Sequence, residues 1–244
     1  MPRGSLKLPS ELVPESSIIM DLNKRINSVE NIVGKIKNGS TIMISGFGEA
    51  GVPNRLLGSL KKLGPTDLTI IVNSVTRSHS LPHALIEANM VSKVITTSAR
   101  GRGFGLSTFE KKLRDGEIEL ECIPQGNFAE RIRAGGAGIP AFYTPVGFGT
   151  VLAEGKETRR LNGKECILEK SIVSDFALIR GDQADKYGNI NFSYTQMNFA
   201  PIMAAASKTT IAEVREILVT PMEHMQIQLP SVYVDHVFAT GESA

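Results

Sequence analysis

Residues 41–63 read TIMISGFGEAGVPNRLLGSLKKL. The first five residues are a short β-branched and apolar run, which predicts a strand over 41–45. Residues 53–63 are typical of a helix that has Pro53 in its first turn, where a missing backbone N–H costs no hydrogen bond. The glycine-rich loop 46–51 is therefore predicted to join a strand to a helix.

The same alternation of helices and strands continues on both sides of this unit. Apolar residues at spacings of three and four predict a helix over 22–36. The predicted strands after the loop are 68–73, 93–97 and 117–123, and the predicted helices are 81–89 and 107–115. Strands separated by helices of this length pair in parallel through right-handed crossovers. The predicted fold class is thus α/β, with a mostly parallel sheet flanked by helices.

The second half of the chain is less regular. Five glycines and two prolines fall between residues 135 and 149, and they predict a long functional loop. Beyond that loop the predicted strands are 166–168, 175–179, 189–192 and 209–214, with a turn at 186–189 and a helix over 201–206.

The beginning of the chain has neither helical nor strand periodicity, because three prolines interrupt it. We expect residues 1–20 to be a disordered leader or a remnant of cloning, with Met20 as a natural start. Residues 21–244 are expected to form one domain, since this length is common for a single α/β unit.

The composition excludes several classes of function. A net charge of +2, from 27 basic and 25 acidic residues, gives no general attraction to nucleic acid or to an anionic membrane. No apolar run approaches the roughly 20 residues that a membrane-spanning helix needs. Two cysteines, Cys122 and Cys166, are too few for a disulfide framework, so a reducing cytoplasm is the expected location.

The loop 46–51 matches the pattern G-x-G-x-x-G between a strand and a helix. Backbone N–H groups of such a loop and of the helix N-terminus can hold an anionic group. An NAD-binding unit also needs an acidic residue at the far end of the next strand, but Asp67 precedes that strand and Asn73 ends it. The pattern argues against an NAD-dependent oxidoreductase, and glycines that serve only tight packing remain an alternative.

Residues 38–47 and 51–53 resemble the first signature of the family I coenzyme A transferases, although the family has two glycines where this chain has Ser45 and Gly46. Residues 124–140, PQGNFAERIRAGGAGIP, are similar to the long central block of that family's A (alpha) subunit. Similar stretches follow in order at 144–150, 153–158, 175–179 and 198–199. The chain is identified as an A (alpha) subunit of the 3-oxoacid or 3-oxoadipate type, which implies the family's three-layer fold.

The resemblance implies that CoA moves between an acyl-CoA, such as succinyl-CoA, and a 3-oxo acid or another short carboxylic acid. Such a ping-pong reaction needs a carboxylate nucleophile, because anhydride and glutamyl-CoA thioester intermediates form in turn. The family's nucleophile is a glutamate in a Ser-Glu-Asn-Gly motif of the B (beta) subunit, and this sequence lacks that motif. The resemblance therefore implies a B partner in an A2B2 heterotetramer, with a CoA thioester as substrate and no permanently bound cofactor.

Gln125 is the predicted catalytic residue of this chain. It follows a predicted strand, where its amide can donate to the oxyanion of a tetrahedral intermediate, the role of the family's corresponding glutamine. A solvent-facing or turn-stabilising glutamine is the alternative. The residues predicted to contact coenzyme A are Ser45, Gly46, Phe47, Gly48, Glu49, Ala50, Gly51 and Gly126.

Three further groups of polar residues have other interpretations. Glu49 is the rival nucleophile if the chain acts alone. The charged run Glu130, Arg131 and Arg133 predicts a solvated helix face. The four histidines, His79, His83, His224 and His236, lack the spacing of a metal site or a catalytic triad, so no metal is predicted.

Two segments depart from the family pattern: residues 74–105, which contain Arg77, Arg100 and Arg102, and residues 195–197. Both are predicted to shape the pocket for the acyl group. A non-catalytic ligand-binding relative, or a sugar-phosphate isomerase relative with a similar sheet, is a second alternative function.

Overall fold

The computed structural model describes residues 22–101 and 105–241. The predicted leader at 1–20 with its start at Met20, and Arg102, lie outside the described residues.

The described part of the chain contains thirteen strands and six α-helices. The strands are β1 Thr41–Ile44, β2 Leu68–Ser74, β3 Val91–Ser98, β4 Glu119–Cys122, β5 Ala141–Thr144, β6 Thr158–Leu161, β7 Lys164–Lys170, β8 Ser174–Arg180, β9 Gln183–Ala184, β10 Ile190–Asn191, β11 Ser207–Val214, β12 Glu216–Ile217 and β13 His236–Ala239. The helices are α1 Val29–Val33, α2 Asn54–Leu63, α3 Leu81–Glu87, α4 Thr108–Arg114, α5 Gln125–Gly136 and α6 Ala200–Ala205.

Seven strands form the central sheet in the order β13-β11-β8-β1-β2-β3-β4, and every neighbouring pair is parallel. Two smaller sheets, β5-β7-β6 and β10-β9-β12, accompany it. All carboxyl ends of the central strands therefore lie along one edge, which is where ligands bind in sheets of this kind.

Helices cover both faces of the central sheet. Ile42 and Ile44 of β1 belong to the core cluster that contains residues of α1, α2, α3 and α4, whereas Met43 belongs to the cluster that contains residues of α5 and α6. Successive side chains of a strand point to opposite faces, so the two clusters are the two sides of one sheet. The predicted α/β fold with three layers is confirmed.

The predicted helix over 22–36 is wrong in its first part. Arg25 pairs with Val237 in an isolated parallel bridge, and the N–H of Ile26 donates to the carbonyl of Val237 at 2.9 Å. The helix begins only after Ser28, whose hydroxyl caps the N–H of Asn31. Residues 25 and 26 pair with the edge strand β13 and so do not form a helix, although their apolar spacing suits one.

The predicted loop 135–149 is also wrong in part, because α5 runs on to Gly136 and β5 lies inside the range. A Cβ on Gly135 would lie 2.2 Å from the carbonyl oxygen of Ile172, and one on Gly136 would lie 2.9 Å from Cβ of Ala205. These glycines therefore allow α5 to pack closely against neighbouring backbone. The other predicted helices and strands each have a counterpart, with small shifts at their ends.

The predicted solvated face of α5 is wrong for Arg131. Its side chain is buried, where Nη1 pairs with Oε1 of Glu121 at 2.6 Å and Nε donates to the carbonyl of Lys170 at 2.6 Å. Glu130 and Arg133 do form an exposed pair, as predicted. Arg131 thus joins the end of β4 to the end of β7.

Candidate active site

A cleft of about 600 Å³ opens at the carboxyl ends of β1, β2 and β3. One wall consists of residues 45–48, which are the first part of the glycine loop at 45–51. The opposite wall consists of residues 74–80 and 98–100, and we call it the arginine wall because Arg77 and Arg100 line the cleft there. The volume is that of a small-molecule site, and the position is the one expected for an α/β sheet.

Gln125 lines the same cleft as the first residue of α5. Its Nε2 donates to Oδ1 of Asn73 at 2.9 Å. Thr97 holds Asn73 in turn, because its hydroxyl lies 2.8 Å from the Asn73 carbonyl oxygen and 3.2 Å from Oδ1. An amide group has two N–H bonds, and the second one of Gln125 makes no hydrogen bond with the described residues. The side chain of Gln125 is exposed and is held through one N–H, so its second N–H is available to a ligand.

Sequence reasoning missed Asn73 and Thr97 as partners of Gln125. They lie at the ends of β2 and β3, and only the pairing of these strands brings them beside the start of α5. A polar residue at the end of each predicted strand was the available signal, but such residues are common at strand ends.

The glycine loop is a tight turn in which Phe47 and Ala50 exchange two backbone hydrogen bonds, of 3.0 and 3.2 Å. Gly46, Gly48 and Gly51 have φ angles of 130°, 65° and 79°, which L side chains rarely adopt. A Cβ on Gly51 would also lie 2.5 Å from a backbone carbonyl oxygen of the segment that packs beside the loop. The loop therefore requires glycine at these positions.

Asn198 fastens the glycine loop to the second half of the chain. Its Oδ1 accepts from the N–H of Gly46 at 3.1 Å, and its Nδ2 donates to the carbonyl of Ala50 at 3.2 Å and to that of Gln196 at 2.9 Å. One side chain thus bonds both ends of the turn and the segment beside it, so the loop has little freedom to move.

Ser45 has its side chain directed away from solvent, with 1% exposure. Its hydroxyl donates to the carbonyl of Gly51 at 2.6 Å and accepts from the N–H of Arg180 at 3.1 Å. The hydroxyl therefore links the two ends of the glycine loop on its buried side. A contact of Ser45 with a ligand would have to use its backbone.

Glu213 supports the start of α2 and pairs with Arg180, whose backbone N–H donates to Ser45. It is fully buried, and its carboxylate accepts from the backbone N–H groups of Arg55 and Leu56, at 2.8 and 3.0 Å, and from Nη1 of Arg180 at 2.5 Å. Burial raises the pKa of Glu213 above its usual value, although these donors oppose the rise. The N-terminus of α2, predicted to hold an anion of the ligand, already has an anion from this chain.

Glu49 lies at the rim of the cleft, where Oε1 is 3.2 Å from Nη1 of Arg77 and 3.5 Å from Nε2 of His79. With Ala50 and Gly51 it lines a neighbouring cavity of about 460 Å³. Gly126 follows Gln125 in α5, and a Cβ there would meet nothing within 4 Å of this chain. Gly126 is thus free to approach a ligand or another polypeptide.

Among residues 22–101 and 105–241, no group of three or more His, Cys, Asp or Glu side chains could hold a metal ion. His83 is buried, with Nδ1 3.0 Å from the carbonyl oxygen of Val75. None of the helices in the described ranges is both long and apolar enough to cross a membrane.

The family model for coenzyme A transferase matches residues 26–240. The chain belongs to the coenzyme A transferase family. It is 42% identical to the A subunit of the 3-oxoadipate CoA-transferase of Pseudomonas putida over 91% of this chain and 96% of that protein. It is 39% identical to the A subunit of the succinyl-CoA:3-ketoacid coenzyme A transferase of Helicobacter pylori (strain J99) over 89% of this chain and 92% of that protein. The prediction of an enzyme subunit of this type is confirmed.

Solved structures share the fold. Glutaconate coenzyme A-transferase from Acidaminococcus fermentans matches with a TM-score of 0.75 and 19% identity, over 88% of this chain and 75% of that chain. An acyl-CoA transferase from Escherichia coli O157:H7 matches with a TM-score of 0.78 and 19% identity, over 92% of this chain and 48% of that chain. The three-layer coenzyme A transferase fold of this family member therefore agrees with solved relatives.

Proposed function

We propose that this coenzyme A transferase chain is the A (alpha) subunit of an enzyme that moves CoA from succinyl-CoA to a 3-oxo acid or to another short carboxylic acid. The names of the relatives at about 40% identity support this substrate class. The observation that carries the mechanism is the amide of Gln125, which is held by Asn73 inside the cleft with a donor to spare.

The nucleophile is a glutamate of a partner B subunit. Its carboxylate attacks the thioester carbonyl of the acyl-CoA, the carbon–sulfur bond breaks, and CoA leaves as a thiolate while an acyl–glutamyl anhydride forms. The thiolate then attacks the glutamyl carbonyl, so the first acid leaves as a carboxylate and a glutamyl-CoA thioester remains. A second carboxylic acid reverses the two steps and leaves as its CoA thioester.

The role of this chain is to stabilise charge and to position the substrate. Each attack on a carbonyl produces a tetrahedral oxyanion, and the free N–H of Gln125 donates to it. A donor that is already fixed, here by Asn73, loses little conformational freedom when the charge develops. The glycine loop from Ser45 to Gly51, together with Gly126, lies against the CoA thioester and the partner chain.

The partner covers the glycine-loop side of the cleft in an A2B2 heterotetramer. Phe47 and Met197 are apolar and partly exposed there, and Tyr194 is fully exposed. Apolar side chains grouped at the rim of a site are typical of a protein interface. We infer a cytoplasmic location, which the free thiols of Cys122 and Cys166 support, and a reaction with no permanently bound cofactor.

The NAD-binding alternative finds no support in the geometry. Asp67 lies at the amino end of β2, at the edge of the sheet opposite to the cleft. An acidic side chain at that edge is too distant to bind the ribose of a dinucleotide held by the glycine loop.

The direct test is to purify the chain with its B partner, incubate the complex with succinyl-CoA and analyse the peptides by mass spectrometry. We expect one glutamate of the partner to carry CoA, and we expect CoA transfer only when both polypeptides are present. Either polypeptide assayed alone is the control. Transfer of CoA by this chain alone, or failure of every short acyl-CoA to label the partner, would contradict the proposal.

A further inference from the structure

The cleft carries positive charge without acidic residues. Two arginines and one histidine line the arginine wall, and its remaining lining residues are serines and threonines. None of the described residues that line the cleft is acidic. The arginine wall therefore favours an anionic group, whereas the apolar lining residues Phe47, Val52, Val72 and Pro82 lie outside that wall.

Two of these three side chains already have a carboxylate partner. Glu49 contacts both Arg77 and His79 from the rim, and the three side chains are 48%, 52% and 72% exposed, respectively. Their mutual attraction is therefore weak and is shared with solvent. They contribute to the potential of the cleft, and Glu49 offsets part of that potential.

Arg100 is different, because it makes no ion pair with the residues that the structure describes. Glu110 attracts it from beyond ion-pair distance, but the Oε2 atom of Glu110 is bonded to the N–H and the hydroxyl of Ser107 in the cap of α4. The next residue, Gly101, packs against the segment before Arg77, since a Cβ there would lie 3.3 Å from the carbonyl oxygen of Thr76. Arg100 is thus a cation of the cleft wall whose charge is available to a ligand.

We propose that Arg100 binds the second carboxylate of a dicarboxylic acyl group, so that it selects diacids such as a succinyl group over monocarboxylic acids of the same length. This inference rests on the proposed CoA transfer. A guanidinium group binds a carboxylate through two parallel N–H donors, which gives direction as well as attraction.

The position of Arg100 favours the acyl end of the substrate over the phosphates of CoA. Arg100 follows β3, and Gln125 follows the neighbouring strand β4. Both side chains line one cleft of about 600 Å³. The distal carboxylate of a four-carbon diacid is a few bonds from the thioester carbonyl, whereas the phosphates lie beyond the whole pantetheine arm.

The test compares two acyl donors of equal chain length, succinyl-CoA and butyryl-CoA, in the complex with the B partner. We expect the wild-type complex to favour succinyl-CoA in kcat/KM. Arg100→Gln should lower the ratio of the two kcat/KM values about 10- to 100-fold, mainly through KM for succinyl-CoA, because a hydrogen-bonded charge pair of this size is lost. Arg100→Lys keeps the charge and should keep part of the discrimination.

Arg77→Gln is the matched control, because Arg77 lies on the same wall but is already paired with Glu49. We expect it to change the ratio less than about fivefold. Inhibition by free CoA distinguishes the two sources of anionic groups. Weaker CoA inhibition, with an equal loss for both donors in Arg100→Gln, would assign Arg100 to the phosphates and overturn the proposal.

The proposed function and this inference fail in different ways. If the complex transfers CoA but Arg100→Gln leaves the ratio unchanged, or the wild-type complex favours butyryl-CoA, only the role of Arg100 is wrong. If the wild-type complex transfers CoA between no pair of acids, the proposed function itself is wrong.

Discussion

The two walls of the cleft are built in opposite ways. In the glycine loop, Ser45 is buried, Asn198 bonds two backbone groups, and the turn closes on itself through Phe47 and Ala50. In the arginine wall the charged side chains extend into solvent, and Arg77 is half exposed. One wall is thus defined by backbone shape and the other by side-chain charge.

This difference matches two demands on a transferase. Stabilisation of an oxyanion depends on donors that are fixed before the reaction, so the parts near the reacting carbonyl must be rigid. Selection among carboxylic acids depends on a few side chains that contact the rest of the substrate. Mutations that disturb the rigid wall should therefore affect folding and catalysis together, whereas mutations in the charged wall should affect substrate choice.

Removal of the support beneath the rigid wall should have the largest effect. Glu213→Ala leaves the guanidinium of Arg180 and two N–H groups of α2 without this carboxylate, and we expect a loss of about 3–5 kcal/mol in the free energy of unfolding. Urea denaturation of the full chain measures it. The control is Glu216→Ala, which removes an exposed carboxylate and should cost at most about 1 kcal/mol.

The pH dependence of Glu213 has a definite sign. Burial raises its folded-state pKa above the usual value of 4.5, so the folded protein binds this proton more tightly than the unfolded chain. The contribution of Glu213 to stability therefore falls as the pH rises above 4.5.

An equal loss in the free energy of unfolding for Glu213→Ala and Glu216→Ala would show that the rigid wall does not depend on the carboxylate of Glu213.

Gln125→Ala should have the next largest effect. Loss of an oxyanion donor raises the barrier by about 2.7–4 kcal/mol, so kcat of the assembled enzyme should fall about 100- to 1000-fold with little change in stability. Steady-state kinetics of CoA transfer measures it. Gln183→Ala, which alters a half-buried glutamine of β9 outside the cleft, serves as the control. A loss below about tenfold in Gln125→Ala would remove Gln125 from the catalytic machinery.

Gly51→Ala tests the shape of the glycine loop. The added Cβ would lie 2.5 Å from the carbonyl oxygen of Gln196 and 2.8 Å from Nδ2 of Asn198, at a φ of 79°. We expect a loss of about 1–3 kcal/mol in the free energy of unfolding, measured by urea denaturation. Gly58→Ala in the interior of α2 is the matched control.

A Cβ on Gly58 meets nothing within 4 Å, and the residue has ordinary helical φ. That variant should therefore gain about 0.5–1 kcal/mol. Similar changes in the Gly51→Ala and Gly58→Ala variants would mean that the loop tolerates a side chain, and the contrast between the two walls would be lost.

Glu49→Gln should have the smallest effect. The variant weakens the contacts of Glu49 with Arg77 and His79, which are exposed, so kcat/KM should fall less than about tenfold. The assembled enzyme is assayed with succinyl-CoA, and Glu49→Asp is the control that keeps the charge. A fall of about a thousandfold or more would identify Glu49 as the nucleophile and would end the proposed division of labour between the two polypeptides.

The sequence predicted the central sheet well because its strands carry their own signals. The run at 41–45 and the helix after Pro53 are defined by neighbouring residues, and the structure has both. The helix predicted near Arg25 was wrong because Arg25 forms a β-bridge with Val237, which lies at the other end of the sequence. The loop predicted from residue 135 was wrong at its start, where α5 continues. The glycines there allow close packing against other segments, which a local pattern does not reveal.

The candidate site was predictable only in part. Gln125 and the glycine loop could be found from motifs, and the structure brings them to one cleft. The partners that fix them, Asn73, Thr97 and Asn198, could not, because each belongs to a different strand or loop and meets the site only through the strand order. Arg77 and Arg100 were singled out only as part of a divergent segment, and the strand pairing was needed to place them opposite the loop.

The bond between Gly46 and Asn198 links residues 152 positions apart, and β1 pairs on one side with β8, which is made late in synthesis. A ribosome therefore releases most of the first half before the turn that lines the cleft can be locked. The cleft can fold only after the last third of the polypeptide has been synthesised, since the entropy of closing a long loop must be lost before such contacts stabilise it. A chain that ends before Asn198 therefore lacks the hydrogen bonds that fix the glycine loop.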